Sequence, residues 1–194
     1  MLDKYSDMIY NYITGFRMSI NLITGCMFSG KTSSLIKIAK NCKKDNLNVI
    51  IINYIGDTRY STSDKITTHD GISMDCKTCG KNLIDILIKS SVLRADVICI
   101  NEGQFFDNLV EFCNIYASLG KEIYVCGLDG DYLKRPFGEI LDLIPHCDTF
   151  TKLSAECSCG KPANFTKKLK STPELIHIGS YEMYSPVCRK CYDK

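Results

Sequence analysis

The apolar positions of the chain fall into two alternating patterns, short continuous runs and longer stretches with helical spacing. Continuous runs of branched residues are typical of strands that are buried on both faces of a sheet. Apolar residues three and four positions apart are typical of helices that pack against such a sheet. Strands are predicted in this way at 20–24, 48–55, 95–100 and 122–126, and helices at 33–44, 82–89 and 108–119. The alternation of strands with helices predicts an α/β fold, a parallel sheet with right-handed crossovers.

The alternation stops in two places along the chain. Residues 57–71 are polar and rich in Ser, Thr and Asp, which predicts a loop. Beyond residue 150, cysteines, glycines and short segments replace the long periodic elements. We therefore expect three parts: an N-terminal extension at 1–17, an α/β domain at 18–147 and a small C-terminal unit at 148–194.

The composition is that of an ordinary globular protein and excludes several classes of chain. The 194 residues are 45% hydrophobic and 24% charged, which excludes a disordered chain, a collagen and a coiled coil. A net charge of +2 provides no field that would attract nucleic acid or a charged membrane surface. Residues 1–17 lack the apolar core of a signal peptide, and the apolar runs elsewhere are too short to span a bilayer. We therefore expect a cytoplasmic protein with no membrane partner and no nucleic-acid partner.

The chain contains twelve cysteines, an unusual number for this length. In a reducing compartment, clustered cysteines more often bind a metal than form disulfides. Cys188 and Cys191 have the spacing of half a tetrahedral zinc site, and Cys157 and Cys159 form a tighter pair with one residue between them. Because thiolates would fill all four positions, the predicted site is a structural zinc; the alternative is four reduced structural thiols.

A further pair, Cys76 and Cys79, has a spacing better suited to a metal-binding knuckle than that of Cys157 and Cys159. Three interpretations are open: incidental reduced thiols, a redox-sensitive pair, or half of a second metal site. The metal content tests the last of these interpretations. One zinc per chain would leave no metal for this pair, whereas more than one would mean that the pair is also occupied.

A phosphate-binding loop pattern follows the first predicted strand, at Gly25-Cys26-Met27-Phe28-Ser29-Gly30-Lys31-Thr32. The glycines allow the backbone to turn, so that successive N–H groups and the N-terminus of the following helix hold a polyphosphate. The Lys31 ammonium adds positive charge at the β and γ phosphates, and the Thr32 hydroxyl is a ligand for Mg²⁺. The sequence therefore predicts that the chain binds ATP with Mg²⁺.

A candidate catalytic carboxylate follows the strand predicted at 95–100, where the chain reads Asn101-Glu102-Gly103-Gln104-Phe105-Phe106. In an open parallel sheet, residues just beyond the strand ends face the ligand crevice. Glu102 could hold the metal there or accept a proton; the alternative is a surface glutamate in a turn.

Five blocks of the sequence together resemble the type II thymidine kinase family, the cytosolic tetrameric deoxynucleoside kinases. The blocks occur in the family's order and, together with the strand before the first of them, span residues 20–192. They are Met27-Phe28-Ser29 inside the phosphate loop; Asp57-Thr58-Arg59-Tyr60 with Thr68-His69-Asp70; Glu102-Gly103-Gln104-Phe105-Phe106; Leu128-Asp129-Gly130 with Arg135-Pro136-Phe137-Gly138; and Cys157 and Cys159 with Cys188-Arg189-Lys190-Cys191-Tyr192.

The resemblance implies a fold and an activity. The fold is a P-loop (RecA-like) parallel sheet flanked by helices, with a small zinc-ribbon-like lasso domain at the C-terminus. The activity is transfer of the γ-phosphoryl group of ATP to the 5′-hydroxyl of thymidine or deoxyuridine. The resemblance also implies a homotetramer and feedback inhibition by thymidine triphosphate (dTTP).

The resemblance further assigns roles to individual residues. Glu102 is implied as the base that takes the 5′-hydroxyl proton. The residues implied at the phosphates and the metal are the loop 25–32 with Asp57, Arg59, Asn101 and Gln104. Those implied around the nucleoside are Met27, Phe105, Leu128, Tyr132, Phe137, Thr166, Ile176, His177, Ile178, Gly179, Ser180 and Tyr184. The segment 176–184 is expected to close over the base, mostly through main-chain groups.

Three positions depart from the family pattern. Asn101 stands where the family usually has Asp; it keeps an acceptor oxygen but loses the charge that helps to hold Mg²⁺ through water. We expect activity to survive, because Thr32, Asp57 and the nucleotide itself still bind the metal. Cys26 replaces a common Pro at a position that supplies backbone, and Tyr132 replaces a frequent Phe.

Two other functions share parts of this pattern. A P-loop ATPase that hydrolyses ATP without an acceptor would share the phosphate loop but would not need the aromatic pocket of Phe105, Tyr132 and Phe137. A zinc-ribbon nucleic-acid-binding module would need a basic face with exposed aromatic residues, which the net charge of +2 does not support.

Overall fold

The structure, a computed structural model, describes residues 18–56, 64–68, 70–169 and 182–193. The strands in these ranges are β1 (Ser19–Gly25), β2 (Val49–Tyr54), β3 (Lys65–Thr67), β4 (Ser73–Asp75), β5 (Lys77–Cys79), β6 (Val97–Ile100), β7 (Glu122–Gly127), β8 (Thr149–Leu153), β9 (Ala155–Glu156), β10 (Pro162–Ala163), β11 (Phe165–Lys168) and β12 (Tyr184–Val187). Six of them form one sheet in the order β5-β2-β6-β7-β1-β8, in which every neighbouring pair is parallel.

The α-helices of the described residues are α1 (Lys31–Lys44), α2 (Ser90–Leu93), α3 (Leu109–Ser118) and α4 (Arg189–Tyr192), with 3-10 turns at Leu83–Ile86, Gly103–Phe105 and Ile140–His146. The two longest of them, α1 and α3, cover opposite faces of this sheet. Leu35 of α1 packs in one apolar cluster with Ile51, and Phe112 of α3 packs in another with Ile52. Because neighbouring residues of a strand point to opposite faces, the two helices lie on opposite sides of β2. In the part of the chain that the structure describes, no helix is both long and apolar enough to cross a lipid bilayer.

The main elements predicted from apolar periodicity are confirmed. The strands predicted at 20–24, 48–55, 95–100 and 122–126 are β1, β2, β6 and β7, and the helices predicted at 33–44 and 108–119 are α1 and α3. All four residues of β6 are fully buried, which explains why this strand reads as a continuous apolar run.

The helical segment predicted at 82–89 is only partly confirmed. The chain forms a 3-10 turn at Leu83–Ile86, followed by the short α2. The Asn82 side chain starts this turn by accepting a hydrogen bond from the backbone N–H of Ile84 at 3.0 Å. Leu83 and Ile86 are buried and stand three positions apart, a spacing that suits three residues per turn better than 3.6.

The loop predicted at 57–71 is only partly a loop. Its residues 65–67 form β3, which pairs with β4 in an antiparallel hairpin. Ile66 is buried and packs with the apolar cluster on the α1 side of the sheet, so this polar segment does contain one apolar anchor. Residues 57–63 and 69 of the predicted loop, like the extension at 1–17, lie outside the described residues.

The first strand of the C-terminal unit is an edge strand of the main sheet. This strand, β8, follows the boundary expected at residue 148 and pairs with residues 21–25 of β1. Two short hairpins follow, β9 with β10 and β11 with β12. A small apolar cluster that includes Ala163 and Val187 packs these hairpins against Cys26 of the phosphate loop. The unit is therefore positioned directly over the carboxyl end of β1.

Candidate active site

The phosphate loop, residues 25–32, joins the carboxyl end of β1 to α1. At Gly25 the φ angle is +149°, and an added Cβ atom would stand 2.4 Å from the carbonyl oxygen of Leu153. Only glycine therefore allows the loop to pass so close to β8. The Lys31 ammonium is buried and donates a hydrogen bond to the Cys26 carbonyl oxygen at 2.6 Å. Its positive charge is held within the loop, where a polyphosphate is predicted to bind.

Asn101 lies behind this loop at the carboxyl end of β6, with only 1% of its surface exposed. Its Oδ1 atom accepts hydrogen bonds from the Thr32 hydroxyl at 3.2 Å and from the Cys126 thiol at 3.1 Å. Burial raises the pKa of Cys126 to about 12, so the thiol keeps its proton and donates. The Nδ2 atom of Asn101 donates to the Oδ1 atom of Asn53 at 2.8 Å. The structure thus brings Thr32 and Asn101 together and adds Asn53, which the sequence did not identify.

Glu102 is held in the left-handed backbone region, with φ +57° and ψ +43°. This conformation costs a residue other than glycine about 1 kcal/mol or more, and such strain is concentrated at functional sites. The Glu102 residue is 7% exposed, and its carboxylate accepts a hydrogen bond from Gln104 Nε2 at 2.6 Å. Gln104 Oε1 accepts in turn from the backbone N–H of Leu128 at 2.9 Å. The resemblance implied Gln104 at the phosphates, whereas its side chain connects the carboxylate to the segment after β7.

Gly138 lies in contact with the backbone of Gln104. Its φ angle is +60°, and an added Cβ atom would stand 2.1 Å from the Gln104 carbonyl oxygen. We expect Gly138→Ala to lower the free energy of unfolding by about 1–3 kcal/mol, because both the backbone and the contact become strained. Thermal unfolding measures this, with Gly80→Ala as the control because the added Cβ there meets nothing within 4 Å. Equal melting temperatures for the two variants would contradict the close approach.

The rings of Tyr54, Phe105 and Phe137 form a cluster, here called the aromatic wall, whose member Phe105 is close to Glu102 in the chain. The Phe105 ring stacks on the Tyr54 ring with centroids 4.9 Å apart, and Phe137 meets Phe105 edge-on at 5.3 Å. Both arrangements are those that aromatic pairs prefer. Tyr54, the last residue of β2, therefore helps to hold Phe105 in place. Sequence reasoning missed Tyr54, although its place at the end of a buried strand was a signal that it faces the crevice.

The C-terminal unit contributes two of the predicted nucleoside residues. Thr166 on β11 is buried, and its hydroxyl accepts a hydrogen bond from the backbone N–H of Met27 at 3.0 Å. Tyr184 begins β12, pairs with Lys168 across the hairpin and is also buried. The phosphate loop and the C-terminal unit are therefore hydrogen-bonded to each other at the candidate site.

Tyr132 lies in the turn after β7 and is attached to α4. The Tyr192 hydroxyl donates to the Tyr132 carbonyl oxygen at 2.7 Å. The Lys134 ammonium stands 3.6 Å from the centre of the Tyr192 ring and 3.1 Å from the Asp193 carboxylate. Sequence reasoning gave Tyr192 and Lys134 no such role, because 60 positions separate the two ends of the Tyr192–Tyr132 hydrogen bond.

The described members of the predicted site fall into three neighbouring groups. The first group is the phosphate loop with Asn101. The second group is Glu102 with the aromatic wall and Leu128. The third group is Thr166 and Tyr184 of the C-terminal unit. They surround the carboxyl ends of the central strands, where an open parallel sheet binds its ligands. The remaining predicted site residues lie outside the described residues: Asp57, Arg59, Ile176, His177, Ile178, Gly179 and Ser180.

Four cysteine side chains meet in the C-terminal unit. The sulfur atoms of Cys157, Cys159, Cys188 and Cys191 all lie within 4.8 Å of one another. Cys159 Sγ is 3.5 Å from Cys157 Sγ and 3.6 Å from Cys188 Sγ. Sulfur ligands of a tetrahedral zinc ion, with bonds near 2.3 Å, stand about 3.8 Å apart. The four side chains therefore fit a tetrahedral metal site and could bind a metal ion.

Backbone N–H groups favour the ionised form of two of these thiols. Hydrogen bonds from the backbones of Cys159 and Cys188 lower the pKa of Cys157 to about 6. A hydrogen bond from the backbone of Cys191 likewise lowers the pKa of Cys188. Hydrogen bonds with the neighbouring sulfurs, that of Cys159 first, raise the pKa of Cys191 to about 12. Because metals bind thiolates, sulfurs stabilised by amide groups suit a bound cation.

Cys76 and Cys79 point to opposite faces of the sheet. Cys76 packs in the apolar cluster on the α1 side, and Cys79 packs in the cluster on the α3 side. Side chains three positions apart in an extended chain point in opposite directions, so these two sulfurs cannot bind one ion or form a disulfide with each other. Among His, Cys, Asp and Glu side chains of the described ranges, only the C-terminal cysteines gather in a group of three or more. Of the three interpretations, these observations favour incidental reduced thiols.

The chain is similar to known proteins over most of its length. Its fold has a TM-score of 0.46 to the flagellar accessory protein FlaH from Methanocaldococcus jannaschii, at 13% identity over 81% of this chain and 74% of that one. The sequence profile described as thymidine kinase matches residues 18–192. Thymidine kinase a of Arabidopsis thaliana is 41% identical over 179 residues, which cover 90% of this chain and 74% of that protein. The thymidine kinase of vaccinia virus (strain Western Reserve) is 41% identical over 174 residues, which cover 89% of this chain and 96% of that protein. Because the profile and both relatives match this chain almost from end to end, it belongs to the thymidine kinase family.

Proposed function

We propose that this protein transfers the γ-phosphoryl group of ATP to the 5′-hydroxyl of thymidine, and also of deoxyuridine. The observation that supports this most directly is the placement of the Glu102 carboxylate. Glu102 follows Asn101, which is hydrogen-bonded to Thr32 of the phosphate loop, and its carboxylate is hydrogen-bonded to Gln104, the neighbour of Phe105 in the aromatic wall. As the base, Glu102 takes the proton of the 5′-hydroxyl while that oxygen forms a bond to the γ-phosphorus. The bond from the γ-phosphorus to the bridging oxygen breaks, and ADP leaves with the electron pair. Lys31 and the loop N–H groups stabilise the charge on the phosphates.

The nucleotide's magnesium would be held by oxygen atoms at the end of the phosphate loop. The Thr32 hydroxyl would bind the ion directly, and Asn101 Oδ1 would reach it through water, which suits the preference of Mg²⁺ for oxygen ligands. The bound ion supplies positive charge that offsets the charge of the phosphates. Asp57 and Arg59 are proposed beside it because the family pattern assigns them there.

The nucleoside would occupy the crevice in front of the aromatic wall. Phe105 would lie against the base, with Met27 and Thr166 packed around the thymine ring. Leu128, Tyr132, Phe137 and Tyr184 would complete the pocket, and main-chain groups of 176–180 would close over it. A loop-lined apolar pocket that uses main-chain hydrogen bonds would select a base by its hydrogen-bonding edge and its size.

The metal of the cysteine cluster is proposed to be a structural zinc. Four protein sulfurs fill a tetrahedral shell and leave no position open for water or substrate. The family resemblance supports three further proposals: a homotetramer, a cytoplasmic location and feedback inhibition by dTTP. That inhibitor joins a thymidine part to a triphosphate part, so it would occupy the nucleoside pocket and the phosphate loop together.

The test is a panel of nucleosides incubated with ATP labelled on the γ-phosphate, with and without Mg²⁺. We expect label to pass rapidly to thymidine and deoxyuridine and only when Mg²⁺ is present. Release of ADP at the same rate without an acceptor would indicate an ATPase instead. Neither activity, together with binding of single-stranded or duplex nucleic acid, would indicate a zinc-ribbon binding module.

Tyr192→Phe is expected to raise the KM for thymidine by about threefold to tenfold with little change in the KM for ATP. The variant loses the hydrogen bond that attaches α4 to the Tyr132 turn, and one such bond contributes about 1 kcal/mol. Steady-state kinetics with each substrate varied in turn separates the two constants. Tyr124→Phe is the matched control, because its hydroxyl bonds to Glu122 at the far end of β7. Equal effects of the two variants would contradict a role for Tyr192 in the pocket.

A further inference from the structure

We propose that Gln104 is a positioning residue for the catalytic base. Its side-chain amide joins the Glu102 carboxylate to the backbone of Leu128, and so fixes the direction in which the carboxylate points. Gln104 is 3% exposed and lies in the 3-10 turn that follows Glu102. The proposal rests on the kinase function proposed above, in which Glu102 takes the proton of the 5′-hydroxyl.

The Gln104 amide is held in one orientation by its two partners. Its Oε1 atom accepts a hydrogen bond from the backbone N–H of Leu128 at 2.9 Å. A backbone N–H group donates and cannot accept, so the amide nitrogen cannot take the place of this oxygen. The Nε2 atom therefore faces Glu102, where it donates to Oε2 of the carboxylate at 2.6 Å. An ionised carboxylate only accepts, so each end of the amide meets a partner of the correct kind.

Close packing also holds this side chain in place. Gly127 ends β7 immediately before Leu128, and a Cβ atom added to it would overlap the Gln104 Oε1 atom. A Cβ atom added to Gly138 would overlap the carbonyl oxygen of Gln104. Two glycines thus leave room for the glutamine on either side, and a side chain packed this closely stays in one rotamer.

The hydrogen bond from Gln104 restricts the Glu102 carboxylate. Proton transfer needs an oxygen of the base within hydrogen-bond reach of the 5′-hydroxyl, about 2.6–3.2 Å. A carboxylate without this bond could rotate about its side-chain bonds and leave that position. Leu128 belongs to the proposed nucleoside pocket, so the same hydrogen-bonded chain connects the base to the pocket. Gln104 thereby keeps the base aligned with the nucleoside that it deprotonates.

This role predicts kinetic changes different from those of a residue at the phosphates, where the family resemblance places Gln104. A residue that contacts the phosphates contributes to ATP binding, so its loss raises the KM for ATP. A residue that positions the base contributes to the chemical step. Its loss lowers the turnover number and leaves both Michaelis constants unchanged.

The experiment compares Gln104→Met in the natural protein and in the Glu102→Gln variant. Methionine has about the length of glutamine but has no group that donates to a carboxylate. Steady-state kinetics with ATP and with thymidine gives the turnover number and both Michaelis constants. Asn21→Leu is the matched control, because its amide donates to the Ile123 carbonyl oxygen toward the opposite end of the sheet. If Gln104→Met does not fold, which its melting curve shows, Gln104→Ala takes its place.

We expect Gln104→Met to lower the turnover number by about tenfold to 100-fold, because a displacement of about 1 Å at a reacting group has effects of this size. Both Michaelis constants should stay within about twofold, and the control should keep its turnover number. In the Glu102→Gln variant, which has no base to position, the same substitution should change the turnover number by less than about twofold.

Three results would overturn the proposal: an unchanged turnover number in Gln104→Met, an equal loss in both backgrounds, or a raised KM for ATP with an unchanged turnover number. Failure of the natural protein to phosphorylate thymidine would overturn the proposed function together with this inference. The three results above leave the kinase activity of the natural protein intact, so the two failures are distinguishable.

Discussion

Glu102→Gln is expected to lower the turnover number for thymidine by a factor of about 10²–10⁴, while ATP and thymidine still bind. An amide has almost the shape of the carboxylate, and its oxygen can still accept the hydrogen bond from Gln104. It cannot take the proton from the 5′-hydroxyl, so the attacking oxygen is left without a base. The loss should therefore appear in the turnover number and hardly at all in the two Michaelis constants.

Steady-state kinetics with ATP and thymidine, combined with calorimetric binding of each, checks this result. The matched control is Glu111→Gln, the same change at an exposed carboxylate on α3. We expect the control to keep its full turnover number. A turnover number within a few-fold of the natural protein for Glu102→Gln would exclude Glu102 as the base.

Cys188→Ser is expected to abolish zinc binding and to disorganise the C-terminal unit. A structural zinc contributes on the order of 10 kcal/mol to the folding of such a unit, and its loss should lower the melting temperature by about 10 °C or more. Because Thr166 and Tyr184 belong to this unit, the KM for thymidine should rise by at least about tenfold. Removal of zinc from the natural protein by a chelator should reproduce both effects.

Metal analysis and thermal unfolding check this second result. Cys147→Ser is the control, because this partly exposed thiol lies outside the cluster and bonds only to the neighbouring Ile144 carbonyl oxygen. It should keep about one zinc per chain. Normal zinc content in Cys188→Ser would contradict the four-sulfur site. More than one zinc in the natural protein would show a second site and reopen the metal interpretation of Cys76 and Cys79.

The parts of the fold that could be predicted from the sequence are those encoded in neighbouring residues. The periodicity that predicts β1, α1, β6 and α3 needs only about ten consecutive positions. The phosphate loop was also predictable, because the Gly-rich pattern, the strand before it and the helix after it are contiguous. The four C-terminal cysteines could be grouped because they form two closely spaced pairs that together supply the four ligands of one tetrahedral ion.

The parts that could not be predicted depend on contacts between distant residues. Asn53 bonds to Asn101 across 48 positions, and Tyr192 bonds to Tyr132 across 60. No local pattern indicates which strand ends become neighbours, because the order β2-β6-β7-β1 differs from the order along the chain. The spacing of Cys76 and Cys79 suggested that both could bind one metal ion. In the structure the chain is extended there, so the two side chains point to opposite faces of the sheet.

The placement of β8 has a consequence for any attempt to isolate the nucleotide-binding part of this protein. β8 covers the outer edge of β1 and the backbone of Gly25, so a fragment that ends at residue 148 would expose a long, apolar edge strand. Such edges pair with other chains, and the fragment would be prone to aggregate. Extending it through Leu153 would cover the edge, but Cys26 would still lack Ala163, whose carbonyl oxygen accepts its thiol hydrogen bond at 3.3 Å. The phosphate loop therefore depends for its surroundings on residues more than 130 positions away, and the two parts of the chain must be produced as one piece.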